Sequence, residues 1–113
     1  MPFIDSKITV PVTEEKKEKI KSELGKAISV MHKPESYLMV GIADNYDLWF
    51  AGKKLEKGAF VSVDVFGTPS ASDCNKMTTE ICGILQRELN IPGDKVYVKY
   101  AGTNDWGWNG TNF

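Results

Sequence analysis

The sequence predicts an α+β domain: two β-α-β repeats forming a four-stranded sheet, with both helices on one face. Two observations carry this. A strand-helix-strand pattern occurs twice, and within each copy the apolar period switches from two to about 3.6 residues and back. The length is the third. With 113 residues, 42% hydrophobic and 26% charged, the chain reads as one domain, residues 1–113, able to bury a single core without staples or metals.

The first strand is expected from Phe3 to Val10. The first helix is expected from about Glu14 to Met31, because Ile20, Leu24, Ala27, Ile28 and Met31 fall on one face while "EEKKEK" stays solvated. Thr13 is its expected N-cap, and Glu14 and Glu15 suit the positive end of the helix dipole. A strand from Tyr37 to Ala43 closes the first unit. "LWFAGKKLEKG" then reads as a short edge strand followed by a charged loop.

The second unit opens with "FVSVDVF" (Phe60 to Phe66), which alternates Val61, Val63 and Val65 against Phe60, Ser62, Asp64 and Phe66. Met77, Ile81, Ile84 and Leu85 give the stripe of a second helix from about Asp73 to Leu89. Ser70 and Ser72 read as its caps, and Asn90 and Pro92 as its stop. The last strand runs from Lys95 to Ala101. Tyr37 and Tyr97, sixty residues apart, read as equivalents in the two units.

A single helix layer leaves the other sheet face open, and that face carries Phe60, Phe66 and Tyr97. Large aromatics there predict a contact with another copy of the chain, as do the unpaired edge strands, so a closed homo-oligomer is expected. A net charge of −1 argues against a nucleic-acid partner. No apolar run approaches the roughly 20 residues of a membrane span. Asp5 and Lys7 interrupt the first apolar stretch, so no signal peptide is read, and the cytoplasm is the expected compartment. Cys74 and Cys82 read as reduced thiols. The lone His32 has no metal-ligand spacing, and no cofactor is expected.

The chain opens with "MPF". By itself Pro2 is a strand-opening proline, Lys33 a helix-end lysine, Tyr97 core or interface filling, and Lys99 a strand lysine. Trp106 and Trp108 lie in a Gly/Asn-rich tail that suits interface packing. Taken together, however, "MPF", "KPESYLMVGI", "IPGDKVYVKY" and "WGWNGTNF" resemble the macrophage migration inhibitory factor family of the tautomerase superfamily, which includes D-dopachrome tautomerase. The similarity runs the length of the chain, in order and register.

The resemblance implies a homotrimer with active sites between subunits, and keto–enol tautomerase activity on phenylpyruvate-like or dopachrome-like acids. Some members also act outside the cell, exported without a leader, so secretion and a cell-surface receptor are the alternative reading. Carried over by position, Pro2 matches the catalytic base once Met1 is removed, and Lys33 matches the basic residue beside it. Phe66 falls where the substrate-contacting backbone lies, and Tyr97 matches a pocket tyrosine given by the adjacent subunit. Lys99 stands where the mammalian pattern has asparagine, and Trp106 falls at the pocket rim. The family's CxxC motif has no match, since Gly58 to Val61 reads "GAFV".

The chemistry fits these residue types. Moving a proton between carbon and oxygen needs a base with pKa near neutrality. A terminal amine titrates at roughly 7.7 to 8.0, and both burial and a neighbouring cation lower that value. Lys33 would anchor a carboxylate or steady charge on the carbonyl oxygen, and Tyr97 with nearby aromatics would hold an aryl ring.

Overall fold

The computed structural model describes residues 1–113. In chain order the elements are β1 (Pro2–Ile8), α1 (Glu14–Ala27), β2 (Met39–Ala43), β3 (Trp49–Phe50), β4 (Lys53–Lys54) and β5 (Ala59–Phe66). They continue with α2 (Ala71–Leu89), β6 (Val96–Thr103), β7 (Gly107–Trp108) and β8 (Thr111–Asn112). The main sheet has the order β2-β1-β5-β6, with β2 and β6 parallel to their neighbours and β1 antiparallel to β5. Each outer strand is thus the return strand of its own β-α-β unit.

Strand alternation sorts the residues into two faces. Ile4, Ile8, Val61, Val63 and Val65 point to the helix side, where they meet Ile20, Leu24, Met77, Ile81, Ile84 and Leu85 in one core. Burial of such side chains supplies about 2 kcal/mol each. The opposite face is arranged in rows set by the strand register. Met39, Phe3, Asp64 and Ala101 form the first row, Gly41, Asp5, Ser62 and Lys99 the second, and Ala43, Lys7, Phe60 and Tyr97 the third.

The helix starts follow from their caps: the Lys16 N–H donates to Thr13 Oγ1 at 3.1 Å and the Asp73 N–H to Ser70 Oγ at 3.1 Å. Ser72 is not a cap, because the helix has already begun at Ala71. α1 is shorter than its apolar stripe, since the backbone tightens into a 3-10 turn over Ile28–Met31 that keeps Ile28 and Met31 buried. The "EEKKEK" segment is not wholly solvated. Lys16 Nζ donates to Glu88 Oε1 at 3.0 Å and Lys19 Nζ lies 3.5 Å from Glu88 Oε2, so α1 is tied to α2 through a carboxylate whose side chain is 5% exposed.

Two further departures come from turn chemistry. A 3-10 turn over Glu35–Tyr37 follows Pro34, and another over Gly93–Lys95 follows Pro92. Counting from these prolines, Tyr37 corresponds to Lys95, and it is Met39 that corresponds to Tyr97. Tyr37 therefore precedes its strand rather than lying in it. The expected edge strand with a charged loop is a hairpin, β3 against β4, closed by Ala51 and Gly52 at positive φ of 53° and 78°.

Candidate active site

β1 begins with Pro2 opposite Val65 of β5, and the Pro2 side chain is fully buried. The Phe66 N–H donates to the Met1 carbonyl at 3.1 Å, so the ladder runs one residue past the proline. Lys33 reaches the same place from the end of α1. His32 takes up a left-handed conformation, φ 60°, which turns the chain after the 3-10 segment. The Lys33 ammonium then donates to the Phe66 carbonyl at 3.0 Å. Phe66 thus holds the chain start through its N–H and Lys33 through its C=O. Burial first, and the positive charge of Lys33 second, hold the terminal amine below its ordinary value of 8.0.

This segment separates two depressions. Lys33 lines a recess of about 280 Å³ with Phe66 and the turn into α2. On the open face lies a cavity of about 660 Å³, a volume suited to a small organic ligand, lined by Met1 among others. Its floor is the first cross-strand row, Met39, Phe3, Asp64 and Ala101, and its walls include Tyr37, Trp106 and Trp108. The Trp108 ring stands edge-on to Tyr37 at 6.3 Å and stacks on Phe113 at 6.4 Å, while Phe113 packs on Phe66 at 5.7 Å.

The tail holds these rings because β7 and β8 form a hairpin. Asn109 and Gly110 close it, both at positive φ. Tyr37, Trp108 and Phe113 are aromatic neighbours that reading by strand and helix period does not place. The Asn-Gly pair between Trp108 and Thr111 is the signal that predicts the hairpin. Asp64 was placed by alternation on the open face, but nothing in the sequence says that a cavity lies over it.

Pro2, Lys33 and Phe66 are brought together, and Trp106 lines the cavity beside them. Tyr97 and Lys99 are not. Tyr97 pairs in register with Phe60 and Pro2 with Val65, a separation of about 17 Å along the strand at about 3.3 Å per residue. Tyr97 is 60% exposed, its ring 5.6 Å from Phe50 beside Trp49, Leu48 and Leu55. Lys99 is exposed, opposite Ser62, and makes no ion pair within the chain. His32 is exposed with Nε2 3.5 Å from Asp73, and no three acidic, histidine or cysteine side chains gather as a metal site would require.

Paired β-α-β units, a mixed four-stranded sheet and a buried proline opening the first strand next to an aromatic cavity lined by Met1 define a tautomerase-superfamily fold. A family model described as macrophage migration inhibitory factor matches residues 1–113, and the chain belongs to that family. The macrophage migration inhibitory factor of Xenopus laevis is 31% identical over 83 residues, 72% of this chain and 71% of that one. Crystal structures of Leishmania major MIF2 and of an Entamoeba histolytica macrophage migration inhibitory factor-like protein superpose with TM-scores of 0.93 and 0.88, at 31% and 25% identity. They cover 100% and 99% of this chain, and 97% and 98% of their own.

Proposed function

We propose that the protein is a keto–enol tautomerase for phenylpyruvate-like acids, with Pro2 as the general base after removal of Met1. The observation that carries this is the environment of the chain start, where burial and Lys33 both disfavour a protonated amine. The Pro2 nitrogen lies one residue deeper in the same place. Unprotonated and fixed by its ring, it would take a proton from the carbon beside the substrate carbonyl and return it to the other end of the enol system. Lys33 would release the Phe66 carbonyl, or share with it, to hold the substrate carboxylate.

In this reading the assembly is a homotrimer, and a neighbouring copy supplies Tyr97 and Lys99 to the Pro2 cavity. Their exposure and their distance from Pro2 within one chain support that arrangement. No helix is long and apolar enough to cross a membrane, and we place the protein in the cytoplasm, with leaderless export the alternative. Ketonisation of phenylenolpyruvate, followed by ultraviolet absorbance, tests the mechanism. Protein with an intact mass lacking Met1 should be active, and Pro2→Gly should lose about 100-fold or more. Equal rates for the two would overturn it, and would favour a signalling protein that keeps the pocket without using it.

A further inference from the structure

The cavity beside Pro2 has a feature that a simple aryl keto acid does not use. Its floor row runs Met39, Phe3, Asp64, Ala101, so Asp64 is the one charged side chain in it, set between an aromatic and a methyl group. The carboxylate is half-buried and carries no hydrogen bond or ion pair within the chain, whereas Asp5 in the next row is already paired with Lys7 at 2.9 Å. Above it stand Tyr37, Trp106 and Trp108, the first and last at 84° to each other.

An ionised carboxylate accepts hydrogen bonds and donates none, so covering it with an unsubstituted ring removes its water and returns nothing. A ligand bearing a cationic nitrogen repairs that loss twice, by a charge-assisted hydrogen bond to the carboxylate and by lying against the aromatic faces. We propose that the cavity selects ligands with a positively charged nitrogen, bound between Asp64 and the Tyr37–Trp108 corner. This rests on reading the cavity as the substrate site, and it narrows the substrate to zwitterionic keto or enol acids. Their ammonium is held by Asp64 in the cavity that Met1 lines, while Lys33 opens onto the recess on the other side of Phe66.

Phenethylammonium is the probe, because it has a ring and a cationic nitrogen but no carbonyl to tautomerise. Trp106 and Trp108 should report its binding by saturable fluorescence change. Asp64→Asn, which keeps the shape and removes the charge, should weaken it by about tenfold or more. Asp64→Glu should keep most of it, and phenylacetate should bind wild type more weakly than phenethylammonium. Tautomerase activity is read by ketonisation and cation binding by fluorescence, so loss of the first in Pro2→Gly and loss of the second in Asp64→Asn are separate results. Equal affinity for wild type and Asp64→Asn, or no saturable binding to wild type, would overturn the proposal. Binding that appears only in Lys99→Met would also overturn it, since Asp64 would then be neutralised by the lysine of another copy.

Discussion

Tyr100 illustrates how a single side chain sets a measurable property. It faces the helices from β6, and its hydroxyl shares a hydrogen bond of 2.8 Å with Thr78 Oγ1. Burial pushes its pKa up to about 12, with Cys74 and Cys82 adding to the rise and the Thr78 bond opposing it. The folded phenol therefore holds its proton where the unfolded one, at about 10, releases it. Stability should be level below pH 10 and fall as pH rises from there towards 12. Tyr100→Phe should remove that slope in alkaline denaturation, and should cost about 1 kcal/mol at neutral pH through the lost bond.

Lys33 gives a residue-scale prediction for the proposed reaction. Its charge lowers the pKa of the amine at the chain start, so removing the charge must raise it. The rising limb of kcat/KM against pH should move to higher pH in Lys33→Met, beyond any loss in substrate affinity. An unmoved limb would mean that Lys33 acts only as an anchor. Ala51 offers a third test at this scale. It holds φ 53° without the side-chain amide that makes asparagine tolerant there. Ala51→Asn should raise stability by about 0.5 to 1 kcal/mol in urea unfolding, because Asn-Gly is the preferred pair for such a turn.

Among elements, the two helices are joined by Glu88. The hydrogen bond from Lys16 chiefly holds its carboxyl below the ordinary 4.5, with Glu23, then the charges of Lys16 and Lys19, acting the same way against the cost of burial. A depressed value means that the contribution is present above pH 4.5 and is lost as pH falls through the folded pKa. Glu88→Gln should lower Tm at pH 7 and flatten the acid limb of the stability curve. An unchanged limb would show that the lysines satisfy Glu88 no better than water does. The C-terminal hairpin is a two-stranded sheet of its own, held to the rest of the fold by its aromatic rings. Asn109 holds φ 53°, and Asn109→Ala removes the side-chain amide that makes asparagine tolerant of that left-handed turn, at a cost of about 0.5 to 1 kcal/mol, so amide exchange across residues 107–112 should quicken while global Tm barely moves.

Elements are also the scale at which the sequence was most legible. Valines at alternate positions and stripes such as Met77, Ile81, Ile84 and Leu85 report which side of a strand or helix is dry, and the structure places them there. Periodicity does not report how the backbone turns between elements. By pattern alone Tyr37, an aromatic shortly after a proline, reads as part of a strand. The 3-10 turn after Pro34 takes it out of the strand and stands it at the cavity wall. Lys16 and Lys19 look solvated in the sequence because their partner lies 72 and 69 positions away on another helix. Of the candidate site, motif position points to Pro2, Lys33 and Phe66, whose roles belong to the proposed reaction, whereas Asp64 and Phe113 gain meaning only once the tail folds back.

For the whole molecule, the distribution of charge and ring on the open face bears on assembly. Tyr97, Trp49 and Met39 are 60%, 62% and 68% exposed, more apolar surface than an isolated chain keeps without use. Sedimentation equilibrium should return three times the 12.6 kDa chain mass, in keeping with the proposed trimer. Phe60→Asp, which sets a charge in the third row of that face, should shift the protein towards the single-chain mass. A wild-type protein that sediments as one chain would leave Tyr97 and Lys99 without a route to Pro2.

The Phe66 peptide unit carries a last consequence. Its amide hydrogen is engaged by Met1 and its oxygen by Lys33. Clipping off one residue would therefore rewire a position sixty-five places along the polypeptide, freeing an N–H that now points at the departed carbonyl. The same cut that uncovers a proton acceptor would install, a few ångströms from it, a donor for the oxygen of whatever moves in. Maturation and assembly of the catalytic groups would be one event.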